Sequence, residues 1–364
     1  MIRLITLNDA NMIEISKNQQ IILRIFLKNE ELSSSAVHSE LLKTGDDVSL
    51  VTVKRDLSEL KDLNLLNTSG AGRSVTYTVS SLGRLFVDIN LDEYSIIDPD
   101  KRFGLKSFNF DLFNSIPNEL FSKSEIAELD NATEIYKKNL KSISKTLEEK
   151  ELERFVIELS WKSSKIEGNT YTLLDTERLI LRGIEAEGHN KDEARMILNH
   201  KDAFKFIREN FSVFKYLSLA KIEEVHKILV KDLNVNFGLR STPVGITGSI
   251  YRPLDNEYKL NEAILSMCDV INRITSPYAK SLIALLCISY IQPFEDGNKR
   301  TSRLIANSIL LAYDYSPLSY RSVDENAYRE AVLAFYELNS IVPFKKIFIE
   351  QYIFAANNYA VGIE

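Results

Sequence analysis

"SPYAKSLIALLCISYIQPFEDGNKRTSRLIANSILLAY", residues 276–313, decides how the rest of the chain is read. Its left half is the most apolar run in the sequence, and Pro277 suits the first turn of a helix there. The run "AKSLIALLCISYI" is too short to span a bilayer and predicts a buried core helix. "RTSRLIANSILLAY" predicts a second helix, with Arg300 and Arg303 three apart on one face. Between them "QPFEDGN" must turn sharply, and Gly297 removes a side chain where a ligand has to approach the backbone. The amides of Gly297, Asn298, Lys299 and Arg300 open the second helix. Such an N-terminus attracts anions through free N–H groups and the helix dipole. Asp296 supplies the hard oxygen that Mg²⁺ takes together with phosphate oxygens. Arg300 and Arg303 supply planar forks for phosphate. Phe294, apolar in a polar loop, is expected to plug the core and fix the turn. The alternative is a plain helix connection with ordinary surface charges, but an acid, a Gly-Asn pair and two arginines in twelve residues favour a phosphate site.

The bulk numbers are consistent with an intracellular globular protein. At 364 residues the chain is long enough for two or three units. It is 45% hydrophobic and 26% charged, the balance of a soluble fold. A net charge of −6 argues against a nucleic acid as the dominant partner, although a local basic patch is compatible with it. Cys268 and Cys287 both lie in apolar, helix-patterned segments and are expected to be buried free thiols. "MIRLITLNDANMIEISKNQQ" has no continuous apolar region of the secretory kind, so the cytoplasm is the expected location.

Residues 1–90 differ in character from the remainder of the chain. "KNQQIILRIFLKN" and "SSSAVHSELLKT" predict two short helices, and "SLVTVKRDLSELKDLNLL" a third, capped by Ser49 with Val53, Leu57 and Leu60 inward. "LLNTSGAGRSVTYTVSSLG" then reads as strand, glycine turn, strand. Three helices followed by a hairpin resemble a winged helix-turn-helix domain, in which the third helix would enter the major groove. On that resemblance Thr52, Lys54, Arg55 and Lys61 would reach phosphates or bases, with Arg73 on the wing. The segment carries ten Lys and Arg against eleven Asp and Glu, a balance unusual for a strong DNA binder. Packing against a partner protein is the other reading.

Residues 91–120, holding Pro99, Gly104 and Pro117, read as a linker wrapping the next domain with phenylalanines as anchors. Residues 121–364 read as almost wholly helical. The exception is "GLRSTPVGITGSIYRP", where Val244, Gly245, Ile246, Thr247 and Gly248 lead into Tyr251 and Pro253 as a short β-hairpin.

The resemblance that gathers these features is to Fic-domain proteins, whose signature H-P-F-x-[DE]-G-N-[GK]-R-x-x-R is similar to "QPFEDGNKRTSR", residues 292–303, at every position but the first. The likeness extends over roughly residues 100–350. "GLRSTPVGITGSIYRP" resembles the family's flap, which aligns a target segment as an added strand. "SSKIEGNT" resembles the inhibitory motif [ST]-x-x-x-E-[GN], with Ser163, Glu167 and Gly168 in place, on a helix around residues 152–168. This order resembles the subclass with an N-terminal inhibitory helix. The implied fold is mainly α: a helical bundle with a β-hairpin flap, preceded by the winged helix.

Fic enzymes mostly transfer AMP from ATP to a Ser, Thr or Tyr hydroxyl of a protein, which can be the enzyme itself. The resemblance implies ATP and Mg²⁺ as cofactors, with the metal on Asp296. Gly297, Asn298, Lys299, Arg300 and Arg303 would bind the nucleotide. Glu167 would pair with Arg303, displace the γ-phosphate and hold ATP in an unproductive pose. Family members often self-associate, so a homodimer is compatible. The departure is Gln292, where the family has the histidine that takes the proton from the attacking hydroxyl. A glutamine amide accepts a hydrogen bond but holds no proton. Three readings are open: a nucleotide-binding pseudoenzyme, a slow transferase, or a histidine replaced to silence the activity. A regulator that binds DNA and only senses nucleotide is the competing class. His200 and His226, on helix-patterned segments, are expected to be surface or structural residues rather than a displaced base.

Overall fold

The computed structural model describes residues 15–45 and 48–362, and the chain divides into two units, Met1–Asp88 and Ile89–Glu364. Residues 1–14, on which the expectation of no secretory leader falls, lie outside the described residues.

In the first unit, serines start the helices. Ser16 caps α1 (Lys17–Lys28), Ser33 ends β1 (Leu32–Ser33) and caps α2 (Ser34–Lys43), and Ser49 caps α3 (Leu50–Asp62). In each case the hydroxyl accepts a first-turn N–H that would otherwise be unpaired. The apolar faces meet in one core of Ile22, Leu23 and Phe26, Val37 and Leu41, and Val53, Leu57 and Leu60. β2 (Leu66–Ser69) and β3 (Thr76–Val79) form an antiparallel ladder from Leu66↔Val79 to Ser69↔Thr76. β1 pairs on the other side of β3, so the sheet order is β1-β3-β2, and α4 (Ser81–Leu85) follows.

The second unit is mainly helical. It runs through α5 (Leu91–Ser95), α6 (Leu112–Ser115), α7 (Lys123–Ser142), α8 (Lys145–Ile166), α9 (Leu173–Arg182) and α10 (Lys191–Glu209). It continues with α11 (Leu219–Leu229), α12 (Glu257–Arg273), α13 (Pro277–Ile291), α14 (Asn298–Ala312), α15 (Glu325–Leu338) and α16 (Val342–Asn358). Residues 276–313 thus form a pair, α13 packed on α14, around which α8, α10, α11 and α12 are arranged. Every residue of α13 from Tyr278 to Ile291 is buried, as expected of a helix that is apolar all round. Its polar side chains are satisfied inside: Ser281 Oγ donates to the Ala306 carbonyl at 3.0 Å and Lys280 Nζ to the Ile271 carbonyl at 2.7 Å. Among the described residues no helix is long and apolar enough to cross a membrane.

Residues 91–120 contain α5 and α6, and Phe108, Leu112, Phe113 and Ile116 are buried, with Phe108 stacked on Tyr290 of α13 at 5.0 Å between centroids. This stretch is therefore part of the second unit's core.

Residues 241–250 differ from the expected hairpin. They are extended around a turn in which the Ser249 N–H donates to the Ile246 carbonyl at 3.1 Å and Gly248 takes a positive φ of 77°. No strand is paired within them among the described residues. Pro243 has no N–H to give, and Gly245 and Gly248 weaken strand propensity. The carbonyls of Thr242 and Leu254, which a ladder would use, are taken by the Arg240 guanidinium.

Candidate functional site

The site is built where α13 stops. Gln292 closes that helix in the left-handed conformation, φ 51° and ψ 59°, which is unusual for a residue other than glycine. Three bonds hold it there. Arg240 Nε donates to its carbonyl at 2.7 Å, its own Nε2 donates to the Ser289 carbonyl at 2.6 Å, and its Oε1 accepts from Asn298 Nδ2 at 3.1 Å. Asn298 also accepts the Phe294 N–H and donates to the Phe294 carbonyl, both at 2.8 Å, which fixes the 292–298 turn. Phe294 is fully buried and lies flat on His226, with centroids 3.7 Å apart.

Gly297, immediately before α14, lies in the left-handed region at φ 77°, and no side chain caps the helix. Its first-turn N–H groups are therefore left for another acceptor. Arg300 is buried, with Nη2 donating to Asp296 Oδ2 at 2.9 Å and Nη1 buried without a partner. An orphaned buried guanidinium donor beside an uncapped helix N-terminus suits a bound anion. Asp296 keeps a largely exposed carboxylate, 63% accessible, at the mouth of the turn. No cluster of three His, Cys, Asp or Glu stands among the described residues. That composition fits a Mg²⁺ held by one carboxylate and phosphate oxygens, and does not fit a metal caged by protein alone.

Arg303, fully buried on α14, is engaged by α8. Nε donates to Ser163 Oγ at 2.9 Å, Nη2 to the Ser163 carbonyl at 2.8 Å and Nη1 to Glu167 Oε1 at 2.8 Å. The other Glu167 oxygen lies 3.3 Å from Lys299 Nζ. Burial alone would raise the Glu167 carboxyl, but Arg303 and Lys299 outweigh it and hold the group below the usual carboxylate range. α15 pins the end of α8: Arg329 donates to the Ile166 carbonyl from Nε at 3.0 Å and Nη2 at 2.7 Å, and Glu325 pairs with Lys162 at 2.7 Å and Lys165 at 3.5 Å. Gly168 follows at φ 97°.

The structure thus brings Gln292, Asn298, Arg300 and Asp296 into one turn, and Arg303, Lys299, Glu167 and Ser163 into one ion cluster. His200 and His226 are fully buried, so neither is a surface residue. Burial, assisted by Arg303 and Arg300, pushes His200 well below its ordinary value. Burial lowers His226 to about 4, and its Nε2 lies 3.0 Å from the Asp296 carbonyl. Both are neutral at pH 7. Arg240, Arg329 and Glu325 escape sequence reading, because their partners lie far away in the chain and no spacing rule connects them.

In the first unit, Lys54 is exposed on α3, and Thr52 shares a 3.0 Å hydrogen bond with the Ser49 cap. Arg55 pairs with Asp56 at 3.2 Å and Glu59 at 3.7 Å. The Arg73 side chain lies outside the described residues.

The α13–turn–α14 pair thus presents an uncapped helix start followed by the buried Arg300 and Arg303. Residues 216–310 match the Fic/DOC family. The chain is similar to a protein adenylyltransferase Fic of Nematostella vectensis, 27% identical over 174 residues, which is 47% of this chain and 41% of that protein. It is also similar to a protein adenylyltransferase Fic of Drosophila mojavensis, 29% identical over 161 residues, or 43% of this chain and 32% of that one. The chain thus spans well under half the length of these curated relatives. A Fic domain containing signaling protein from Bacteroides thetaiotaomicron superposes with a TM-score of 0.53 at 23% identity, covering 63% of this chain and 94% of that structure. Fic-1 from C. elegans does so with a TM-score of 0.52 at 20% identity, covering 65% and 71%. The chain thus contains a Fic domain, matched over residues 216–310, in a fold shared with these Fic structures.

Proposed function

We propose that the chain is a Fic-type protein adenylyltransferase, moving AMP from ATP to a target Ser, Thr or Tyr hydroxyl, held shut by Glu167 and slowed or silenced by Gln292. One observation carries this reading: the buried Arg303, about one and a half turns into α14 from its open start, spends its donors on the protein's own Glu167 and Ser163. A carboxylate on a buried arginine fork occupies the place a phosphate oxygen would take. With Glu167 withdrawn, Arg303 would receive the γ-phosphate, and the α14 amides and Arg300 Nη1 the inner phosphates. Mg²⁺ on Asp296 would neutralise phosphate charge when bound. In the transfer, the target oxygen forms a bond to the α-phosphorus, the bond to pyrophosphate breaks, and the hydroxyl proton has to leave. The amide at position 292 cannot take it.

A nucleotide-sensing protein without transfer is the second reading, favoured by the Gln292 amide being bonded at both ends within the turn. Titrating Mg²⁺-ATP into the native chain and Glu167→Gly separates both readings from a protein that binds no nucleotide. We infer for the first unit a winged helix-turn-helix with weak DNA contact, supported by the exposed Lys54 and Arg55 on α3. Glu59 and Asp56 offset Arg55, so the full chain should bind duplex DNA weakly, losing about twenty-fold in affinity when salt is tripled if three phosphates are contacted. Arg55→Ala should reduce the salt slope by about one. Retention that does not change with salt would refute DNA contact.

A further inference from the structure

Residues 242–254 form no ladder among themselves, although Arg252 bridges in parallel to Ser107, and two buried side chains of opposite charge grip the loop. Arg240 is only 2% exposed. Its Nη1 donates to the Thr242 carbonyl at 2.7 Å, its Nη2 to the Leu254 carbonyl and its Nε to the Gln292 carbonyl at 2.7 Å. Its own N–H donates to the Pro293 carbonyl at 3.0 Å. One guanidinium therefore ties both feet of the loop to the backbone of residue 292.

Glu337, on α15, is fully buried beneath the other end. Its Oε1 accepts from Ser249 Oγ at 2.7 Å, the Ile250 N–H at 2.9 Å and Arg102 Nη1 at 3.2 Å. Its Oε2 accepts from Tyr94 OH at 2.7 Å. Arg102 Nη1 also donates to the Gly248 carbonyl at 2.8 Å, so three successive loop residues are held by one ion pair. The segment that brings Arg102 passes so close that a Cβ on Gly104, at φ 140°, would stand 2.5 Å from the Glu337 carbonyl oxygen. Buried charges hydrogen-bonded from several directions favour one geometry.

We propose that Arg240 and Glu337 are positioning residues, which hold the unpaired backbone of residues 243–247 at a set place relative to residue 292 so that a target segment can align there. The role in target alignment rests on the proposed transfer activity, and the holding of the loop does not. Two arms keep them apart. Hydrogen exchange is measured on the full chain, native, Glu337→Gln and Arg240→Lys. In Glu337→Gln, amides of residues 246–252 and 102–106 should exchange at least about ten-fold faster, with those of α13 and α14 unchanged. In Arg240→Lys the acceleration should fall on the amides of Thr242, Val244, Leu254 and Asp255, since Pro243 and Pro253 carry none, which decides the matter even if the first variant folds poorly. Unchanged loop exchange, or acceleration spread evenly over the unit, overturns the proposal. In a Glu167→Gly, Gln292→His background, Glu337→Gln should lower the rate of label transfer from ATP about ten-fold without moving the KM for ATP. A fall in ATP affinity instead would assign Glu337 to the nucleotide site and also overturn it. Absence of transfer in that background sinks the transfer reading alone, and hydrogen exchange still decides whether the two residues hold the loop.

Discussion

Gln292→His, placed in a chain that also carries Glu167→Gly, is expected to raise transfer of α-labelled ATP into protein by about 10²–10⁴-fold over Glu167→Gly alone, the usual contribution of a general base. The backbone at position 292 is held independently of the side chain, by Arg240 on its carbonyl and by the end of α13, so an imidazole would enter a preset location. Its ring would replace the amide that now bridges the Ser289 carbonyl and Asn298. The second substitution is needed because Arg303 is otherwise committed to Ser163 and Glu167. Gln292→His by itself should therefore gain far less. A double variant no faster than Glu167→Gly would show that a proton acceptor is not what the turn lacks.

The next largest effect is on stability. Glu167→Gln keeps the shape but withdraws the charge facing a fully buried guanidinium. Loss of one partner of a buried pair is costly because the other charge stays behind, and Ser163 still satisfies part of Arg303 here. A loss of about 2–4 kcal/mol is expected at pH 7, read as a lower midpoint of thermal unfolding. The effect has a direction in pH. The folded carboxyl lies below its ordinary value, so its charged form favours folding; burial opposes this shift, and Arg303 and Lys299 drive it. The contribution is fully present above the unfolded value of about 4.3 and is lost as pH falls through the depressed folded value. The native chain and Glu167→Gln should converge in stability only in acid. A gap that widens on acidification would contradict the pairing.

Much of the site is legible in one stretch because its parts are local. An apolar helix, a turn with glycine and a second helix place Asp296, Gly297, Asn298 and Arg300 together by chain geometry alone. Glu167 is legible only through the likeness of "SSKIEGNT" to a motif, since nothing in helical periodicity links it to Arg303. Residues 241–250 mislead because alternation around a glycine turn looks like a hairpin. The competing groups, Arg240 and Glu337, are single charges whose partners are set by tertiary packing. For His200 and His226 the sequence leaves surface and structural roles open, because a histidine on a helix pattern gives no sign of which face it occupies; both face inward.

In the proposed function, residues 296–303 form a phosphate clamp stoppered by Glu167. Calorimetric titration of Mg²⁺-ATP into the native chain, Glu167→Gly and Glu167→Gly with Arg303→Ala tests it most directly. Binding should tighten at least about ten-fold once Glu167 is removed, a change of roughly 1.4 kcal/mol, and that gain should be lost when Arg303 is also removed. No binding by any of the three, or equal affinity in all of them, would contradict it.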